Sequence, residues 1–320
     1  MTVIPESSHS FFQIVGRAAQ VVADLQPDIL HTHRIKENMA GAMLKRKGIV
    51  PHLVQTVHGM GEIYGGRDAL KSRVYGWLSR FVTPRYFDEI FAVSRDIEER
   101  LADVYPAVPI RVLHNAIRLP QQPPDDLRQT IRADLGIPAD HLLLGTAGRM
   151  VPVKGYDILL DALADLFEKR SGMSAIVVGD GPLLDELKRR AESLGLCGRV
   201  SFPGFRHDIQ NVVAAMDLFV MSSRHEGIPT VLLEAMALNV PDVVTAVGGI
   251  PEVVVDGETA LLVPPEDAAA LSAACLRLLD DDRLRQRLTE QARSHVLEHF
   301  TAMVQANRLM TAYAELLEKR

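Results

Sequence analysis

The sequence predicts an α/β protein built from two parallel-sheet domains, and three observations carry that prediction. Short runs rich in Val, Ile and Leu alternate with helical patterns along the 320 residues, the mark of strands buried beneath crossover helices. A Pro- and Gln-rich stretch, LPQQPPDDLRQ at 119–129, interrupts the alternation with little to bury and reads as a linker. The length suits about two domains, each with its own core.

In the first domain, 1–118, the candidate strands are DILHTH (28–33), HLVQTVHG (52–59), EIFAVS (89–94) and IRVLHNAI (110–117). Between the second and third lies a helix near 67–85. It is expected to turn Leu70, Val74, Trp77, Leu78 and Phe81 inward, with Lys71, Arg73, Arg80 and Arg85 away from that face. A core-packed helix with a basic solvated face is the simpler reading; contact with anionic lipid is the sharper one. The second domain, 130–300, offers LLLGTAGR (142–149), SAIVVGDG (174–181), VSFPGF (200–205), DLFVMSS (217–223), DVVTA (242–246) and ALLVPP (260–265). Helices such as YDILLDALADLFEKR and GPLLDELKRRAESLGL fill the intervals, and a last helix covers 301–320.

Hydrophobic residues at 47% and charged residues at 24% are ordinary for a soluble globular chain. A net charge of −6 argues against general nucleic-acid binding. Cys197 and Cys275 have no metal-ligand spacing, which predicts free thiols in a reducing compartment. No apolar run reaches the roughly 18 residues of a spanning helix. The opening MTVIPESSHSFF has no signal-peptide pattern, so a cytoplasmic location is expected.

Ligands of parallel sheets bind beyond the carboxyl ends of the strands. The unusual polar residues gather there: His31, His33, His58, Ser94, Asn115, Arg149, Asp180 and the run Ser222–Glu226. In HEGIPTVLLEAMA, Glu226 and Glu234 would stand roughly 80° apart on a regular helix. Gly227 and Pro229 instead put Glu226 in a loop and Glu234 inside the helix. Carboxylates suit sugar and ribose hydroxyls, and the helix-start amides of Gly227, Ile228, Thr230 and Val231 suit a phosphate. The plainer alternative is a capped helix with acidic residues near its positive end.

GRMVPVKGYDILLDAL sets Arg149 and Lys154 on either side of a strand-to-helix loop, where both could meet one anion. Taken alone, two solvated cations explain it better. VVGDGPLLDEL carries Leu184 where a dinucleotide fingerprint needs its third glycine, so it reads as a structural turn with Pro182 opening the helix. In VGGIPEVV, Gly248 and Gly249 allow close backbone approach, and Ile250-Pro251 opens another helix. Among the histidines, His58 is preferred as a ligand contact because Gly59 leaves room beside it. A zinc site from His31, His33 and His58 lacks a further ligand at suitable spacing.

In order, GRMVPVKG, VVGDGP, VSFPGF, SSRHEGIPTVLLEAMA and VGGIPEVV make the chain resemble the retaining GT-B glycosyltransferases of the large family-four type, the glycosyl transferases group 1. The resemblance runs from about residue 12 to the C-terminus and is strongest over 142–265. It implies two Rossmann-like domains facing a cleft, with the last helix returning to the first domain. By that resemblance His58, Arg149, Lys154 and Glu226 are catalytic, with Arg149 and Lys154 on the donor diphosphate and Glu226 on the transferred sugar. Glu234 would hold the ribose, with Gly148, Phe205, Gly227, Ile228, Pro229 and Thr230 around the donor and segment 202–206 near the nucleobase. His58 would reach the donor sugar or the acceptor.

The implied function is transfer of a hexosyl unit from a nucleotide-diphosphate sugar to a glycan or lipid-linked acceptor, with retention. No cofactor or metal is expected, since fixed cations can take the leaving-group charge. The alternative is a catalytically impaired sugar-nucleotide-binding protein with a regulatory or scaffold role. Peripheral membrane contact through helix 67–85 and a dimer complete the expected partners. One departure stands out. DILHTH occupies the place of the family's fourth strand, so the first domain is expected to be truncated by roughly three strands and a Gly-rich loop, with an uncovered sheet edge.

Overall fold

A computed structural model describes residues 3–5, 8–59, 69–121 and 124–318, and only the backbone of residues 69–75 and 125. The chain divides into two compact units, residues 1–114 with 306–320, and residues 115–305.

The first unit is a parallel sheet of β1 (Ile29–Thr32), β2 (His52–Val57), β3 (Glu89–Ala92) and β4 (Ile110–Val112), in the order β1-β2-β3-β4. Its helices are α1 (Phe11–Leu25), α2 (Ile35–Arg46), α3 (Ala69–Tyr86) and α4 (Arg95–Val104). Covered on both faces, the sheet buries continuous apolar runs, and Leu53, Val54, Ile90 and Phe91 are fully inaccessible. The last helix of the chain (Ala302–Glu318) brings Ala312 and Leu316 onto Val54, Phe91 and Leu113 of this unit. Ser94, at a strand end, serves α4 by accepting the Ile97 amide at 3.3 Å.

Helix α3 forms where the pattern placed it, but its described side chains face the other way. Trp77 is 60% exposed and Phe81 61% exposed, whereas Ser79 and Thr83 are buried. The buried face is built from small residues, so the helix lies close to its neighbours. Its hydroxyls are satisfied there: Ser79 Oγ bonds the Tyr105 hydroxyl at 2.8 Å and Thr83 Oγ1 at 3.2 Å. Bulky rings cannot enter that contact. The side chains of Leu70, Lys71, Arg73 and Val74 lie outside the described residues.

The second unit holds β5 (Leu142–Ala147), β6 (Met173–Val178), β7 (Val200–Gly204), β8 (Leu218–Met221), β9 (Asp242–Thr245) and β10 (Leu261–Val263). All pair in parallel, in the order β10-β9-β8-β5-β6-β7. Its helices are α5 (Asp125–Asp134), α6 (Tyr156–Lys169), α7 (Leu184–Ser193), α8 (Ile209–Ala214), α9 (Thr230–Ala237), α10 (Ala268–Asp280) and α11 (Asp282–His299); α12 is the last helix. From β5 the chain winds outward through β6 and β7, then returns to β8 on the other side and continues to β9 and β10. The order therefore reverses between β5 and β8, and a doubly wound sheet opens its ligand crevice at such a switch.

Three local readings need correction. The expected linker 119–129 ends early, because residues 125–129 begin α5. Leu127, Ile131 and Leu135 recur every four residues and pack into the core, while Arg128 and Arg132 hold Asp217 at 2.5 and 3.0 Å. The Pro and Gln residues around it concealed that periodicity. Pro182 precedes α7 rather than opening it. Ile250-Pro251 starts only a three-residue 3₁₀ turn, Ile250–Glu252.

Candidate donor site in the second unit

Two loops meet at the switch point, 148–155 after β5 and 222–229 after β8, and backbone contacts lock them together. The Arg224 amide donates to the Val153 carbonyl at 2.8 Å, and Ser222 Oγ donates to the Lys154 carbonyl at 3.1 Å. The Arg224 guanidinium grips Asp157 at 2.7 Å, which holds that carboxyl below its ordinary range. Arg224 thus anchors the loop to the start of α6. A third loop closes behind: Thr245 Oγ1 donates to the Ser223 carbonyl at 2.7 Å and the Gly249 amide to the Glu226 carbonyl at 3.1 Å.

Two glycines make this interlock possible. Gly155, at φ +60°, lies so near the Ser222 carbonyl that a Cβ would sit 2.1 Å from its oxygen. Gly248, at φ +52°, would bring a Cβ to 1.9 Å from the Glu226 carbonyl oxygen. Both positions combine left-handed backbone with a contact only hydrogen can make.

The side chains then take fixed places. Lys154 Nζ donates to Glu226 Oε1 at 2.6 Å, and Ser223 Oγ donates to the same oxygen at 2.6 Å. Both members of this ion pair are largely buried. Glu234, in the second turn of α9, accepts from Gln210 Nε2 at 3.0 Å. Helix α9 has no side-chain cap and no acidic residue in its first turn. Glu226 is engaged with Lys154 instead, so the capped-helix alternative is set aside. The first two amides of α9, those of Thr230 and Val231, have no intrahelical acceptor, whereas the Leu232 amide donates back to the Pro229 carbonyl at 3.2 Å. Pro229 is the N-cap, one residue earlier than expected.

A cavity of about 800 Å³ lies over these loops, lined only by residues of the second unit. Its wall includes Gly148, Arg149, Lys154, Phe205, Ile228, Pro229, Thr230 and Glu234 of the predicted site. Glu226 and Gly227 stand beside the wall, Glu226 joined to it through Lys154. Arg149 is exposed, and no ion pair holds it among the described residues. Sequence reasoning set Asn115 and Asp180 at strand ends and Arg206 in the segment near the nucleobase without giving them roles, and it left out His207 and Gln210. Asn115 Nδ2 donates to the Ile228 carbonyl at 2.9 Å and so braces the loop before α9. Arg206 is held by Asp208 and Asp134, each at 2.8 Å, and His207 meets the ring of Phe205 edge-on at 4.9 Å. The strand-end positions of Asn115 and Asp180 were visible; His207 and Gln210 lacked any local signal.

His58 belongs to the first unit, where it joins His31 and His33 in a column of imidazoles. The ring centroids are 4.5 Å apart for His31 and His33, and 5.4 Å for His33 and His58. His33 Nδ1 and His58 Nε2 share a hydrogen bond of 3.2 Å. His31 is fixed at both nitrogens, by the Tyr313 hydroxyl at 2.6 Å and Thr56 Oγ1 at 2.7 Å. Burial, reinforced by His33 and His58, lowers its pKa to about 4, so it is neutral near pH 7. Among the described residues no group of His, Cys, Asp or Glu is arranged to hold a metal ion.

Comparison with known proteins accords with this arrangement. The family model for glycosyl transferases group 1 matches residues 128–295, and that for glycosyltransferase family 4 matches residues 3–120. The chain is 33% identical to the lipopolysaccharide core biosynthesis glycosyltransferase LpsE of Rhizobium meliloti, across 78% of this chain and 69% of that one. It is also 33% identical to the D-inositol 3-phosphate glycosyltransferase of a Nocardioides species, across 95% and 71%. The crystal structure of Anabaena Alr3699/HepE with UDP-glucose shares the fold, with a TM-score of 0.84 at 23% identity, across 96% of this chain and 84% of that one. Two parallel sheets and an anion-suited switch point thus stand in a chain that belongs to the glycosyl transferases group 1 and is a glycosyltransferase of GT-B fold.

Proposed function

We propose that the chain transfers a hexosyl unit from a nucleotide-diphosphate sugar to a glycan or lipid-linked acceptor, with retention and without a metal ion. The observation that carries this reading is the uncapped start of α9 beside the Lys154–Glu226 pair, on the cavity that Arg149 also lines. Departure of a nucleoside diphosphate develops negative charge, and in this reading Lys154, Arg149 and the amides of Thr230 and Val231 stabilise it. Glu226 offers its second carboxylate oxygen to sugar hydroxyls. Glu234, aligned by Gln210, offers acceptors to a ribose. His58 acts on the donor sugar or the acceptor, a role read from the family resemblance, as is retention.

The UDP-glucose bound by the Anabaena protein supports a nucleotide-sugar donor. The lipopolysaccharide core named for one relative supports a lipid-borne saccharide as acceptor. Incubation with a panel of sugar nucleotides and saccharide acceptors, with EDTA present, tests the reading. Transfer with an α-linked product from an α-linked donor is expected. Tight binding of nucleotide diphosphates without consumption of any donor would instead identify a binding protein. Transfer abolished by EDTA and restored by a divalent ion would refute the metal-free mechanism.

A further inference from the structure

We propose that His33 is a positioning residue for His58, fixing both the orientation of its ring and the nitrogen that carries its proton. The proposal rests on the role given to His58 above. His33 is itself held at main chain and ring. Its amide donates to the Glu37 carboxylate at 3.0 Å, as does that of Arg34 at 3.2 Å, which ties the segment after β1 to the first turn of α2. Its ring lies against His31, 20° from parallel. His31 is kept from turning, because Tyr313 and Thr56 engage both of its nitrogens. Support therefore runs from α12 and β2 through His31 to His33, and reaches His58 last.

Imidazole chemistry decides what that last contact does. A neutral imidazole has one N–H and one bare nitrogen, and the hydrogen bond at one nitrogen determines the state of the other. His33 Nδ1 and His58 Nε2 are bonded at 3.2 Å with their ring planes 24° apart, so one donates and the other accepts. Either assignment confines His58 to a single tautomer and gives its Nδ1 one defined function, donor or acceptor. Both rings are exposed, and a hydrogen bond between two free imidazoles gains little over water. The fixed ring of His33 makes the difference, since a partner already in place loses no freedom when the bond forms.

Two measurements on the full chain test this, and the first needs no substrate. With isotope-labelled histidine at about pH 8, long-range proton–nitrogen correlation spectra are expected to show His58 as one tautomer, its signals assigned by their loss in His58→Gln. His33→Phe keeps a flat ring against His31 but offers no nitrogen, and His58 is then expected to average between tautomers. The second measurement is transfer itself. His33→Phe should lower kcat about 10- to 100-fold while nucleotide-diphosphate affinity stays unchanged. His33→Gln, whose amide still meets Nε2, should restore kcat to within about threefold of wild type. Circular dichroism of these exposed-site variants confirms their fold. A single His58 tautomer in His33→Phe would overturn the proposal, as would tautomer exchange already present in the wild type. So would wild-type kcat in His33→Phe, or a His33→Gln variant no faster than His33→Phe, since packing alone would then explain the loss. Wild-type protein that binds no nucleotide diphosphate and transfers no sugar would refute the transferase reading instead, and the spectra would still decide whether His33 governs the His58 ring.

Discussion

The two units are both parallel sheets, yet they assemble their chemistry in opposite ways. In the second unit the strand order reverses between β5 and β8, and loops from both strands converge on that reversal. Main-chain contacts lock them there, and side chains occupy the resulting frame. In the first unit the described strands step in one direction, β1 to β4, with no reversal. Its cluster is instead a stack of three imidazoles, fixed by hydroxyls from Thr56 and Tyr313. A site framed by backbone reads clearly from sequence, because glycines and prolines mark it. A site held by side chains distant in sequence does not.

The contrast can be broken, with the largest effect expected at the charged pair. Lys154→Ala removes a cation from the proposed diphosphate site and leaves Glu226 without its ion-pair partner. Donor kcat/KM should fall about 10²- to 10³-fold, and nucleotide-diphosphate affinity should fall with it in calorimetry. An unchanged affinity would remove Lys154 from the site. Gly248→Ala tests the frame itself. A methyl group driven against the Glu226 carbonyl in left-handed backbone should cost about 2–3 kcal/mol in denaturant unfolding. Wild-type stability in this variant would show that the loops are not locked.

Two buried titratable groups sharpen the comparison, because their pH dependences have opposite signs. His31 has its folded pKa lowered from 6.5 to about 4. The unfolded chain therefore takes up a proton that the fold refuses, so this contribution is complete above pH 6.5 and lost as pH falls toward 4. About 2–3 kcal/mol should disappear across that window, and His31→Gln should flatten the loss in urea melts. Asp242 in β9 is fully buried with both carboxylate oxygens unpartnered, and burial raises its pKa well above 3.8. Its contribution is complete below pH 3.8 and declines as pH rises, because the unfolded carboxyl ionises first. Asp242→Val should therefore stabilise the second unit at pH 7 by about 1–3 kcal/mol, with a smaller gain at pH 5. Equal gains at both values would assign the effect to packing.

Each of the ten strands among the described residues answers to an apolar run in the sequence, since strands covered on both faces leave that pattern with turn residues at their ends. The site loops were legible for the same reason: Gly155, Gly227, Pro229 and Gly248 interrupt apolar runs. What escaped was long-range. Lys154 and Glu226 are 72 residues apart, and only the winding of β5 beside β8 makes them partners. His207 and Gln210 reach the donor region from a loop and a helix that carry no mark in the sequence. Helix α3 misled through composition: Ser79 and Thr83 count as polar in a periodicity, yet paired hydroxyls are buried at little cost. Trp77 and Phe81 count as core, yet stand outside. Helix α5 hid behind the prolines that precede it.

The interlock of Gly155 with Ser222 and of Gly248 with Glu226 also bears on how such a protein can change. Its contacts are made by carbonyl oxygens, which every amino acid possesses. Substitution at Ser222 or Glu226 therefore leaves that part of the frame in place, whereas substitution at either glycine destroys it. A saturation scan should divide accordingly, with two intolerant glycines beside a tolerant rim at Phe205, Arg206, His207 and Thr230. Donor preference can drift by exchange of that rim, one residue at a time, on a chassis that need not be rebuilt.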